Sequence, residues 1–553
     1  MAAVLLYGFT LAYGFDYDDY HFVRPYTTAD VAAAFHGPWD TTGIERPYYR
    51  PLTILFFALR FEALGINSTA QHALSLALFA LAAALVGWLV FRFTDSIWFG
   101  LVATFFFAAH PGMPYSLVAW ITNQMHLIEC VVVLAALVWW DLVYRWPAIW
   151  WMPLLGFAAA AFLIKEDGIM LLPTVVTLHI IRCWLSDDDE RAATREPRAA
   201  SGASRITVRH VLPPVGFLVA AAILAAALLG TRAWALADVA TTRQPPLGAA
   251  MSNYIRGLYG LFRLVPADRP WQVGASWFVT LVPLAAIAMW RRSHRGARVT
   301  LASGLAIAIL FDLPFIFITK AEQLHFVALG AAVFLAGAAA TVLTAVAAGA
   351  ARYVAALGSV AGLLLLALVS RDIARDFDPY GPVVLAHDEI VQTWAAVPVD
   401  LRRYLARKRD PQSTSTLSPD PSVALDVVTF GGHEPERTPD GIDYRWMGGS
   451  RIDIFVTGRA RTIAIPLRHA IEVFREPARV RVTVDGRLVD DLVLGTPEWR
   501  VSRTAVRDAD VSPLRRMHRV VIAIDHAWRP KDVILGSQDG RTLGLQIGEV
   551  QLR

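Results

Sequence analysis

The chain has little cysteine and little charge. Two cysteines occur in 553 residues: Cys130 inside an apolar run, and Cys183 at the end of another, beside Arg182. Neither a disulfide framework nor a cysteine-based metal site can be built from them. Charged residues make up 18% of the chain against 55% hydrophobic, and the mean hydropathy is +0.44. This is the composition of an integral membrane protein carrying a soluble part. The net charge is only +4. With no long basic block or nucleic-acid motif, it argues against nucleic acid as a partner. No nucleotide-binding motif and no solenoid-type repeat are visible.

What the chain has in quantity is apolar runs. An N-terminal stretch, residues 1–14, is followed by runs of spanning quality at 70–90, 97–109, 126–143, 148–163, 168–181, 211–235, 273–290, 299–318, 326–347 and 353–370. Together they predict about eleven transmembrane helices. The first run is short for a bilayer. It reads as a retained anchor, because it lacks a basic leader and acidic residues stand where a cleavage site would fall. The segment 51–65 is apolar but contains Arg60 and Glu62, which suits a helix lying in the interface. With the N-terminus placed in the cytoplasm, the inner loops collect Arg92, Arg145, the stretch 182–209, the cluster 291–298 and Arg352, as the positive-inside rule requires. The C-terminal region then falls on the external face.

From residue 371 the character changes. A linker over 371–421 is rich in charge, proline and serine toward its end. Over 422–553 short alternating runs follow, with a hairpin signal at Asp485-Gly486. They predict an antiparallel β-sandwich. The expected architecture is therefore a polytopic helical membrane domain (1–370) with interfacial helices in its first external loop, a linker, and a C-terminal β-sandwich.

The chemistry-bearing residues fall on the external side of this topology. Directly behind the anchor stand Asp16, Asp18, Asp19, Tyr20 and His21, and later in the same loop Arg46, Tyr48, Tyr49 and Arg50. The other external loops supply His110, Trp120, Asn123, Gln124 and His126, then Lys165-Glu166-Asp167, then Asn253, Tyr254, Arg256 and Arg263, then Lys320, Glu322, Gln323 and His325. A carboxylate base surrounded by cations fits transfer from a lipid-linked phosphate. The carboxylate deprotonates an acceptor hydroxyl, and the cations neutralise the departing phosphate. Singly, each group has a plain reading. The acidic patch is a hydrated loop, Arg46 and Arg50 snorkel to headgroups, Lys165-Glu166 is a local ion pair, and His110-Pro111 ends a helix. Their joint placement on one face favours a site. Asp16, Asp18 and Asp19 are also candidate ligands of a divalent ion, and the pattern fits a site with or without one. No other cofactor is indicated.

At these residues the chain resembles the GT-C class of membrane glycosyltransferases, and is similar to bacterial relatives of protein O-mannosyltransferases and of the lipid A aminoarabinose transferase. The resemblance rests on Asp18-Asp19 after Tyr17, on Tyr48-Tyr49-Arg50-Pro51-Leu52, on His110-Pro111 with Ala119-Trp120-Ile121, on Lys165-Glu166, and on Asn253-Tyr254 with Pro266. It covers residues 1–370. It implies Asp18 as catalytic base with Asp19 as its partner, and Arg50 with Arg46 on the donor phosphate. In this scheme Lys165, Arg256, Lys320 and His325 are further phosphate or lipid contacts, and Tyr20, His110, Trp120, His126 and Glu166 face substrate. The chain departs from the family pattern in two places. Asn123-Gln124-Met125-His126 stands where relatives often carry an acid, and residues 320–325 stand where many carry Arg-Tyr. The C-terminal part resembles a jelly-roll-like module appended to other such proteins, through Tyr444-Arg445-Trp446, Val484-Asp485-Gly486 and residues 541–545.

The resulting expectation is an inverting glycosyltransferase of the bacterial inner membrane. Its partners would be a polyprenyl-phosphate sugar and an acceptor lipid, protein or glycan at the periplasmic face. Two rivals are a transporter or flippase of lipid-linked glycans, which buried charges within the spans would favour, and a polysaccharide polymerase.

Overall fold

A computed structural model describes residues 2–12, 19–39, 48–110, 118, 120–193, 213–237, 248, 252, 254, 270–314, 325–346, 353, 356–362, 364–365, 367–369, 427–433, 435–457, 460–474, 476–507, 514 and 517–553. The chain forms two compact units. One comprises Met1–Leu11, Thr28–Phe56 and His72–Gly381, and the other Ala12–Thr27, Phe57–Gln71 and Pro382–Arg553. The first external loop of the sequence reading is thus divided between them. The linker, 371–421, lies outside the described residues.

The first unit is helical. Its elements begin with α1 (Ala2–Tyr7), a 3₁₀ turn over Gly8–Ala12, the short α2 (Asp19–Phe22, counted in the second unit), α3 (Thr28–Ala34) and α4 (Pro51–Leu64), whose last eight residues belong to the second unit. There follow α5 (Ser68–Thr94), α6 (Ile97–Ala109), α7 (Gln124–Val143), α8 (Pro153–Ile164), α9 (Leu171–Ala193), α10 (Val215–Ala235), α11 (Pro270–Met289), α12 (Arg295–Asp312) and α13 (His325–Ala345). Among the described residues four helical stretches are long and apolar enough to cross a membrane: Ser68–Thr94, Gln124–Val143, Glu166–Leu185 and Val215–Ala235. Shorter apolar helices cover Ile97–Ala109, Ala148–Ile164, Leu329–Ala345 and Ala356–Val369. Each apolar run read from the sequence thus coincides with a helix or part of one, and α4 occupies the segment expected to lie in the interface.

Helix directions follow from a few contacts. Gln124 at the start of α7 donates to Ser75 near the start of α5 (2.8 Å), and Asp141 near the end of α7 pairs with Arg92 near the end of α5 (2.8 Å). These two helices therefore run parallel. α6 packs closely on α5, where a Cβ on Gly100 would stand 2.7 Å from the carbonyl oxygen of Gly87. α12 and α13 are antiparallel and meet through glycines. A Cβ on Gly304 would lie 2.1 Å from the Phe334 nitrogen, one on Gly330 2.5 Å from the Ala308 nitrogen, and one on Gly337 2.4 Å from the Leu301 nitrogen. In a membrane, where lipid is as apolar as leucine, such small residues let backbones approach and gain dispersion contacts.

The β-rich part of the second unit is antiparallel throughout. It comprises β1 (Val427–Phe430), β2 (Glu436–Arg437), β3 (Asp443–Trp446), β4 (Arg451–Thr457), β5 (Thr462–Arg468), β6 (Ala478–Val484), β7 (Arg487–Leu494), β8 (Arg500–Ala505), β9 (Met517–Ile524), β10 (Gln546–Gly548) and β11 (Gln551–Leu552). One sheet has the order β1-β4-β9-β6-β7, and the other β11-β5-β10-β3-β2 with β8 on β5. Strand β6 alternates as sheet packing demands, with Ala478, Val480, Val482 and Val484 buried and Arg479 and Arg481 exposed. Those residues share one core with Ile454 of β4, Ile463 of β5 and Ile547 of β10, so the two sheets face each other. The Asp485-Gly486 hairpin is present, with φ of +49° and +81°, the pair of positive values a type I′ turn needs. Asp485 also accepts from the Arg519 backbone (2.9 Å) and bonds His518 Nδ1 (2.7 Å), which locks the turn onto β9. The chain ends in two short strands, β10 and β11.

Within this unit the C-terminal half of α4 is gripped by the sandwich. Phe61 meets Phe430 and Phe455 edge-on at 5.8 and 5.4 Å between ring centroids. Glu62 pairs with Arg519, which is held in turn by Asp453 at 2.8 Å. Asn67 donates to the Leu514 carbonyl.

The close approach of α12 and α13 makes a clear expectation. Gly304→Val should separate the helices, cost about 3 kcal/mol, and lower the thermal midpoint in detergent. Gly156→Ala, where an added Cβ meets open space, serves as the neutral control. An unchanged midpoint for Gly304→Val would refute the crossing.

Candidate functional site

Burial near one end of the helical unit concentrates charge. Arg50, just ahead of α4, is 3% exposed. Its Nε donates to Glu166 Oε2 at 3.0 Å, while Glu166 Oε1 accepts the Tyr49 backbone N–H at 2.9 Å. The guanidinium lies over the Tyr48 ring at 4.1 Å and the Trp39 ring at 5.0 Å, and its Nη1 approaches Met125 Sδ at 3.7 Å. Tyr48 and Trp39 are themselves tied by the Trp39 N–H to the Tyr48 carbonyl, 3.0 Å. Burial works against the arginine's charge. Glu166 first, then Tyr48 and Asp167, outweigh it and leave its pKa above the ordinary value. The site therefore presents a permanent cation in an aromatic cradle.

Beside it, Lys165 Nζ pairs with Asp167 Oδ2 at 2.7 Å, both residues buried. The sequence reading paired Lys165 with Glu166. The structure instead gives each its own partner, because the backbone turns from extended at Lys165 (φ −156°, ψ 143°) into a 3₁₀ turn over Glu166–Met170. Neighbouring side chains thus diverge. Thr53 Oγ1 donates to the Ile164 carbonyl (2.7 Å), fastening α4 to this turn. From inside α7, fully buried Glu129 lies within electrostatic reach of Asp167, Lys165 and Arg50. Sequence reasoning passed over Glu129. The signal was there: Glu129 is one of two acids in the apolar run 126–143, and an acid there is costly in a membrane and points to function or pairing.

The far end of the bundle is built differently. Asp141 is buried and bridged by Arg92 (2.8 Å) and Arg182, and Arg182 rests on Tyr144 at 4.4 Å. Gly296 at the start of α12 packs on the Phe93 backbone, which brings the basic segment 291–298 to the same end. Met125 and Asp141 stand sixteen residues apart on α7, about 24 Å of helix. The two clusters therefore mark opposite ends.

The second unit holds Asp19, fully buried at the start of α2. Arg60 of α4, 3% exposed, donates to the Phe22 carbonyl (3.4 Å) and lies over the Phe57 ring at 4.4 Å. Phe57 in turn meets Phe22 at 5.5 Å. Burial lowers the Arg60 pKa to about 10, with Tyr26 and Asp19 acting in the opposite sense, so the group remains cationic at neutral pH.

Of the other residues singled out from the sequence, His110 caps α6 and is buried, His126 is buried in the first turn of α7, and Trp120 is half-buried just ahead of that helix. Asp16, Asp18, Arg46, Arg256 and Lys320 lie outside the described residues, as do the side chains of Tyr20 and His325. Among the described residues no group of three His, Cys, Asp or Glu side chains is arranged to hold a metal ion.

No protein-family model and no curated protein matches this chain. Among solved structures it is similar to the arabinosyltransferase EmbB from Mycobacterium smegmatis, determined by single-particle cryo-EM. The sequence identity is 14% and the TM-score 0.33, over 100% of this chain and 64% of that one. The chain thus spans less than two thirds of that protein's length. A likeness at that level assigns neither activity nor substrate.

The Arg50–Glu166 contact is directly testable. Glu166→Gln should destabilise the purified protein by about 3 kcal/mol, since it strands a buried cation. Adding Arg50→Met should return part of that loss. Equal thermal midpoints for wild type and Glu166→Gln would show that Arg50 does not depend on Glu166.

Proposed function

We propose that the protein is a GT-C-type membrane glycosyltransferase that moves a sugar from a polyprenyl-phosphate donor to an acceptor at the external face. The observation that carries this reading is the asymmetry of the helical unit. One end has a buried Arg50 in an aromatic cradle with Lys165, Glu166, Asp167 and Glu129 around it. The opposite end has a structural carboxylate clamped between two arginines. A guanidinium offers five donors. With Nε committed to Glu166, the Nη edge is the one to meet a phosphate. Lys165, already paired, acts by tuning the cluster rather than as a bare anion ligand.

In this reading Asp18 takes the proton of the acceptor hydroxyl as its oxygen attacks the anomeric carbon. The bond from that carbon to the phosphate oxygen breaks, and polyprenyl phosphate leaves as an anion that Arg50 and Arg46 stabilise. Attack from the face opposite the leaving group inverts the anomeric configuration. Asp19 supports Asp18, and a divalent ion at Asp16, Asp18 and Asp19 would add charge to the same step.

Glu129, a carboxylate buried within a spanning helix, favours a second reading as a carrier of lipid-linked glycans. Sugar release separates the two. Reconstituted protein given a radiolabelled polyprenyl-phosphate monosaccharide and candidate acceptors should liberate polyprenyl phosphate. Asp18→Asn should slow that release by about a hundredfold or more with expression unchanged. Movement of label across the membrane with no cleavage would establish the carrier instead.

A further inference from the structure

The C-terminal sandwich touches α4, the helix against which α2 and its Asp19 pack. On α4, successive residues are turned about 100° apart, so around the helix the order is Arg60, Phe57, Phe61, Glu62, with Arg60 and Phe57 on one side of this arc and Phe61 and Glu62 on the other. The first side receives α2: Phe22 packs on Phe57, its carbonyl accepts from Arg60, and Arg60 lies within electrostatic reach of Asp19. The other side receives the sandwich. Phe61 packs edge-on against Phe430 and Phe455, which also meet each other at 5.6 Å, and Glu62 meets Arg519. Arg519 is not adaptable. Its Nε is fixed by buried Asp453, which Arg451 also grips (2.9 Å), and its backbone is fixed by the Asp485 turn. The sheet therefore holds the C-terminal half of α4 through Phe61 and Glu62. That hold sets where Arg60 stands.

The geometry points to the sandwich as a positioning module for α2, which carries Asp19, acting through Arg519 and Glu62 on α4 and through Arg60 on the Phe22 carbonyl. Arg519, Glu62 and Arg60 are then positioning residues of the transferase proposed above, on which this inference rests for its catalytic meaning. Its structural content stands by itself.

The experiment uses the full chain in lipid nanodiscs, with hydrogen exchange followed by mass spectrometry as the primary readout. Glu62→Gln and Arg519→Met should each speed exchange of the peptide covering residues 19–27 by about threefold. Peptides from β6 and β9 should stay protected in Glu62→Gln, which leaves the sandwich side intact. Unchanged exchange at 19–27 in Glu62→Gln would overturn the proposal, whatever Arg519→Met does to the sheet. In the transfer assay Arg60→Lys should retain more turnover than Arg60→Met, and Glu62→Gln should lower kcat while leaving KM for the lipid donor unchanged. A wild type that shows faultless coupling in exchange but transfers no sugar defeats the glycosyltransferase reading alone. A wild type that transfers sugar, with Glu62→Gln altering neither exchange nor kcat, defeats the positioning role alone.

Discussion

A buried guanidinium needs a carboxylate beside it, and the candidate site follows from how Arg50 meets that need. Glu166 answers with both oxygens, one on the Arg50 side chain and one on the Tyr49 backbone. That single carboxylate joins the start of α4 to the turn between α8 and α9. Thr53 fastens the same two segments a turn later through the Ile164 carbonyl. Since desolvating a charge costs several kcal/mol unless it is paired, the cluster is most stable as a set. It keeps Arg50 positively charged at any pH the membrane survives. The rings of Trp39 and Tyr48 exclude water from the flanks and leave a directed, rather than diffuse, positive edge.

The helices were legible in the sequence because the bilayer imposes long apolar runs, and residues 97–109 are a helix with those same bounds. The Asp485-Gly486 turn was legible because only such a pair takes two positive φ values cheaply. Pairing was harder to read. Lys165 and Glu166 are sequence neighbours of opposite sign, yet an extended residue followed by a 3₁₀ turn sends them to different partners. Glu129 was hidden inside a largely apolar stretch, and what surrounds it comes from residues far away in sequence. The short β2 leaves too little alternation to detect.

Domain limits were the least visible in one dimension. A composition shift near residue 371 marks where the apolar runs stop, but compactness groups residues 12–27 and 57–71 with the C-terminal sheets. Arg60 and Glu62, which from the sequence merely disqualified 51–65 as a span, are among the polar groups through which that grouping is made. Charges that look like interruptions of an apolar helix are here its addresses for two different neighbours.

α10 shows the opposite economy. Val215, Val219, Ile223, Leu229 and Trp234 are all exposed on it, and Phe217 against Trp151 is the main inward anchor. Oil presses on such a surface without reading its shape. Natural variation along α10 should therefore exchange one aliphatic residue for another almost freely, sparing the few inward positions, while the glycines between α12 and α13 tolerate no such drift. A map of allowed substitutions in this protein would trace the lipid boundary helix by helix.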